Sequence, residues 1–142
     1  MKKNKLIVDY GYDFELLGII SPVKDYKIAW AINNTLNFKF KKNNDLKIEF
    51  INDKQLIISN YTFETENSLL RLLKNKSQSV SDLTFSYLIP ELKNFDYFIK
   101  IEDEADTFNQ ALLIKKIKTI PLIQYITTID AGKLRSKENL LF

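Results

Sequence analysis

Asp96-Tyr97-Phe98-Ile99-Lys100-Ile101-Glu102 is followed, after a polar break, by a helical pattern over residues 106–120 and a second strand-type run over residues 122–129. Strand, helix and strand in that order make a β-α-β unit, whose crossover is right-handed where its two strands pair in parallel. Leu113, Ile117 and Ile120, with Ile114 beside them, recur at helical spacing and mark the side that faces a core. Pro121 then ends the helix, because it has no N–H to donate and its ring clashes with the preceding turn.

Upstream of this unit the pattern is mostly that of strands. Leu6-Ile7-Val8 and residues 14–20 read as two short strands around turn-prone residues 9–13. Ser21-Pro22 reads as a helix start, with serine capping free amides and proline at the first helical position. Ile28, Ala29, Ile32 and Leu36 supply that helix's core stripe. Phe38-Lys39-Phe40-Lys41 and Leu46-Lys47-Ile48-Glu49-Phe50 alternate with period two, and Lys42-Asn43-Asn44-Asp45 between them has the composition of a hairpin loop, so the two runs are expected to pair. Residues 51–54 read as a turn, residues 56–58, 61–64 and 69–74 as strands, and the Ser- and Lys-rich residues 75–82 as a surface loop. The sum is an α+β domain over residues 1–142: a mainly antiparallel, strand-rich sheet covered by two main helices and closing with the β-α-β unit.

At 142 residues, with 45% hydrophobic and 27% charged residues, the chain has enough apolar material for one core. Cysteine and histidine are both absent. That removes disulfides, thiolate chemistry, the commonest general base and the commonest metal ligand, and three glycines in all leave no Gly-rich phosphate loop. No cofactor and no metal are expected. The net charge of +3 is mildly basic. No apolar run reaches the ~20 residues of a membrane span, and Leu6-Ile7-Val8 is too short for a signal peptide, so a cytoplasmic protein without a membrane partner is expected.

Ile89-Pro90-Glu91-Leu92-Lys93-Asn94-Phe95-Asp96-Tyr97 resembles the signature of the IPExxxVDY family, small proteins of Bacteroidota. Phe95 stands where that signature has valine, which keeps the position apolar and adds bulk. Residues 98–102 and 136–142 are also similar to family members. The resemblance implies a lineage and no activity. Physical chemistry gives the motif an architectural account: Ile89 buries, Pro90 sets a turn, Glu91 favours exposed amides, and Tyr97 takes the opposite strand face from Asp96. The catalytic alternative makes Glu91 and Asp96 an acid and base pair.

Binding is the function class that these residues favour, with enzyme chemistry disfavoured and no catalytic residue assigned. Tyr26 and Trp30 lie four residues apart, away from their helix's core stripe, and are expected to be sandwiched between layers, with docking of a protein partner as the alternative. The tail Lys133, Arg135, Lys137, Leu140, Leu141 and Phe142 is basic and then apolar, and packing on its own domain is preferred over docking. Lys39, Lys41 and Lys47 are expected on one hairpin face, opposite Phe38, Phe40, Ile48 and Phe50, as a solvated face that keeps an edge strand from aggregating, with contact to RNA or a ribosomal surface as the alternative. The acids Glu102, Asp103, Glu104 and Asp106 are read as helix electrostatics rather than a cation site. Self-association is left open.

Overall fold

The computed structural model describes residues 13–49, 55–78 and 86–142. The strand expected at Leu6-Ile7-Val8, the turn at residues 51–54 and the far part of the loop expected at residues 75–82 lie outside them. The elements are β1 (Glu15–Ile20), α1 (Asp25–Leu36), β2 (Lys41–Lys42), β3 (Leu46–Glu49), β4 (Gln55–Ile58), β5 (Asn60–Glu64), β6 (Ser68–Lys74), β7 (Tyr97–Asp103), α2 (Gln110–Ile117) and β8 (Tyr125–Ile129). Six strands form one sheet in the order β2-β5-β6-β7-β1-β8, and β3 and β4 form a separate pair. Among the described residues, every strand pairing is antiparallel. The fold class is the α+β arrangement expected from the sequence.

β7 and β8 each run antiparallel to β1, so they are parallel to one another with β1 between them. The β-α-β unit is therefore split: its helix crosses over a strand from the other end of the chain. β7 is the centre of the sheet, and all five residues from Tyr97 to Ile101 are buried. Tyr97, Ile99 and Ile101 face Ile28, Ala29 and Ile32 of α1 and Leu113 and Ile117 of α2. Phe98 faces the other way, into a second apolar cluster with Leu16, Leu73, Leu56 and Ile58 of β4, Leu88, Ile89 and Leu140. A strand apolar on both faces belongs between two layers, and the second layer here is a hairpin plus the C-terminal segments rather than a helix.

Three local expectations are corrected. The helix does not open at Ser21-Pro22. The Ser21 N–H donates to Asp96 Oδ2 at 2.8 Å and its hydroxyl donates to the Leu122 carbonyl, so serine ties a turn to the sheet and α1 starts at Asp25. The second helix is shorter than residues 106–120. Asp103 accepts from the N–H groups of Thr107 and Phe108, Asp106 takes a left-handed φ of 53°, and Asn109 caps the helix through the Leu112 N–H.

The third correction concerns the hairpin. β2 pairs with β5, Lys41 opposite Thr62, whereas β3 pairs with β4, Leu46 opposite Ile58, so the two alternating runs lie in different sheets. The intervening polar residues make a corner instead of a hairpin loop. Asn43 donates its N–H to the Asn60 carbonyl and its side-chain amide to Thr62, and Lys42 reaches Asp45 at 2.7 Å. Phe38 and Phe40 do turn inward, into a ring cluster with Phe63 and Phe108.

Candidate functional site

The motif at residues 89–97 is organised by a residue outside it. Asn75 has no exposed surface, and its main chain and side chain together make five hydrogen bonds to residues 88–96. Its Oδ1 accepts from the Ile89 N–H at 2.9 Å, and its Nδ2 donates to the carbonyls of Leu92 at 3.0 Å and Phe95 at 2.9 Å. Its N–H donates to the Asp96 carbonyl and its carbonyl accepts from the Leu88 N–H. A side-chain amide has the donor and acceptor set of a peptide unit, so Asn75 stands in for a strand partner to an irregular segment. This residue, with buried Ser77, was expected in a surface loop, which the structure contradicts for both.

Within the motif, Ile89 is buried and Pro90 opens a 3-10 turn over Pro90–Leu92. Glu91 accepts from the Ser136 N–H through Oε2 and from the Ser136 hydroxyl through Oε1, both at 2.8 Å. Burial pulls its pKa upward, but hydrogen bonds from its own backbone, from Ser136 and from the Arg135 backbone outweigh that and hold it below the ordinary value. Asp96 is engaged elsewhere, with Ser21. The two carboxylates thus hold two different segments, and Glu91 does not line the cleft that Asp96 borders, so nothing in their placement pairs them as acid and base.

Asp96 borders a cleft of about 340 Å³ between the turn leading into α1 and the end of the motif. Its walls are residues 21–24, Lys74 and Lys76 at the end of β6, Tyr87, and Lys93 with residues 95–97. Tyr97 donates its hydroxyl to the Val23 carbonyl at 2.6 Å. Burial, followed by the nearby charges of Asp25 and Asp96, raises its pKa well above the usual phenol value. Gly18 lets Phe95 close one end: a Cβ there would lie 2.7 Å from Phe95 Cδ1. The extra bulk of phenylalanine over valine is accommodated by that missing side chain.

The other candidates are dispersed. Tyr26 and Trp30 are 54% and 65% exposed, so the sandwiched position expected for them is overturned and they form an outward face on α1. Lys39, Lys41 and Lys47 are all exposed, but Lys41 lies in β2 and Lys47 in β3, so they do not share a hairpin face. The tail packs on its own domain. Leu140 is fully buried and Asn139 donates to the Leu88 carbonyl at 2.8 Å, while Lys133, Arg135, Leu141 and Phe142 remain exposed and Lys137 is half-buried.

Phe142 places its ring 4.2 Å from Lys100 Nζ and 5.4 Å from the Arg71 guanidinium. Lys100, in the middle of β7, is only 3% exposed and meets Glu102 at 3.7 Å. Burial lowers its pKa and neighbouring Arg71 lowers it further, with Glu102 opposing. Asp103, at the end of β7, acts locally: burial raises its pKa, but hydrogen bonds from Phe108, Ser68 and Thr107 bring it below the ordinary value. Among the described residues, no group of three or more acidic side chains is placed to hold a metal ion, and no helix is long and apolar enough to cross a membrane. No protein-family model and no curated protein matches the chain.

Proposed function

We propose that this is a cytoplasmic, non-enzymatic binding module of the IPExxxVDY family that recognises a protein partner through the outward face of α1. The observation that carries this reading is Trp30, 65% exposed at the middle of a helix whose opposite face is locked into the core. Tyr26 lies one turn away, and exposed Lys27 falls between the two in sequence. Large rings on a rigid element lose little conformational freedom on binding, and tryptophan, tyrosine and arginine supply most interface hot spots. The Lys27 ammonium suits a partner segment carrying an acidic residue.

The test is co-purification from native lysate on immobilised full-length chain, with nuclease added, followed by affinity measurement on the protein retained. Trp30→Ala should weaken binding by roughly 30-fold or more, the ~2 kcal/mol of a hot-spot residue, while thermal stability stays within ~0.5 kcal/mol of wild type. Failure to retain any partner, equal retention by Trp30→Ala, or loss of all retained material on nuclease treatment would each overturn the reading.

A further inference from the structure

We propose that the cleft between residues 21–24 and 93–97 is a binding site for a small phosphate-bearing ligand, independent of the partner face on α1. Four lysines border it, Lys24, Lys74, Lys76 and Lys93, contributed by the turn before α1, the end of β6 and the motif. Among the described lining residues they face one carboxylate, Asp96, whose Oδ2 already accepts from the Ser21 N–H. Among the described residues, Lys24, Lys74 and Lys93 have no ion pair. The lysines come from three segments, ammonium groups brought together repel one another unless an anion sits between them, and among the described residues Asp96 is the one carboxylate in the lining, with Asp25 near enough to act on Tyr97.

The shape matches the charge. About 340 Å³ lies within the size range of small-ligand sites, roughly 300–1,000 Å³. The walls are fixed before any ligand arrives. Ser21 is bound to Asp96, the Tyr97 hydroxyl to Val23, and the backbone at Phe95 and Asp96 to Asn75. A site held in place by its own hydrogen bonds spends little binding free energy on ordering. The Tyr97 phenol remains protonated at neutral pH, so this wall adds no second negative charge.

The lining also selects among anions. It contains no arginine, hence no planar fork matched to a carboxylate, whereas lysines act as point charges that suit a multiply charged phosphate. Tyr87 and Phe95 add two rings against which an apolar or aromatic part of the ligand can lie. A phosphate group attached to such a moiety satisfies both features.

The probe is inorganic pyrophosphate, titrated at constant ionic strength into isotopically labelled full-length protein while backbone amide resonances are followed. Citrate and a short single-stranded oligoribonucleotide are run as separate arms. Saturable shifts at residues 21, 23–24, 74–76 and 93–97 are expected at millimolar pyrophosphate or below. Lys93→Glu and Lys24→Glu should each weaken binding by about tenfold, corresponding to one lost charge contact of ~1.4 kcal/mol. Trp30→Ala should leave it unchanged, which separates this site from the partner face. Absence of saturable shifts, affinity undiminished in both lysine variants, or tighter binding of citrate or the oligoribonucleotide than of pyrophosphate would overturn the proposal.

Discussion

Replacing Asn75 tests whether one buried amide holds the motif in place. Asn75→Ala removes the acceptor of the Ile89 N–H and the donor to the Leu92 and Phe95 carbonyls, in a site without solvent access. A buried group left without its partner costs about 1–3 kcal/mol, and the carbonyls can partly relax toward other donors. The total is then roughly 3–5 kcal/mol, a large share of the ~5–15 kcal/mol that keeps a domain folded. For a chain of this size that corresponds to a fall in melting temperature of roughly 10 °C or more. Urea unfolding is the assay, with the midpoint shifted and the slope unchanged if the same surface is exposed. Asn75→Asp sharpens the test, because it keeps the acceptor and loses both amide donors. Its carboxylate would be buried against two carbonyls, so its folded pKa is raised and the variant is more stable below that pKa than at neutral pH. A loss below ~1 kcal/mol for Asn75→Ala, or no gain in acid for Asn75→Asp, would refute the reasoning.

Gly18→Ala should destabilise by about 1–3 kcal/mol through the clash with Phe95, and adding Phe95→Val should recover part of that loss in a double-mutant cycle; additive losses would count against the contact. Glu91 has a folded pKa below its unfolded value, so its contribution is present above pH ~4.3 and lost as pH falls through the folded pKa. Amide exchange at residues 136–141 should therefore accelerate in acid before the core does, and Glu91→Gln should abolish that step. For Lys100 the cost of burying an ammonium, several kcal/mol, exceeds the ~0.5–2 kcal/mol returned by the Phe14 and Phe142 rings, so Lys100→Met is expected to be neutral or stabilising in chemical denaturation. Because its folded pKa is lowered, wild-type stability attributable to Lys100 rises between that pKa and ~10.4, where the unfolded chain binds more protons, and Lys100→Met should lack this rise.

What the sequence made legible was periodicity. The buried stripe of α1, the strand at β7 and the inward turn of Phe38 and Phe40 all follow from spacing within a few residues. Strand partners did not follow, because alternation says which way side chains point and nothing about which strand lies alongside; the polar corner at residues 42–45 resembled a hairpin loop in composition alone. Asn75 was hidden for a related reason. Its role depends on residues 13 to 21 positions downstream, and an asparagine among lysines and serines carries no local sign of burial. Trp30 was misjudged because a helix apolar on two sides suggested a second covering layer, and that layer lies on the opposite face of the sheet. The lysines of the cleft stand at positions 24, 74, 76 and 93, so only folding assembles them.

The insertion of β1 between β7 and β8 has a consequence in time. Leu17 lies opposite Ile99 and Thr128, so the first strand-forming segment to leave the ribosome among those described has no described neighbour in its own sheet until more than 80 residues later. At roughly 5–20 residues per second, Leu16-Leu17-Gly18-Ile19-Ile20 waits several seconds as an unpaired apolar edge. The β5–β6 hairpin can close meanwhile, because its pairs are close in sequence. Synthesis thus builds one flank of the sheet first, and the middle closes only when the motif and β7 arrive, leaving the nascent chain dependent on whatever shields β1 until then.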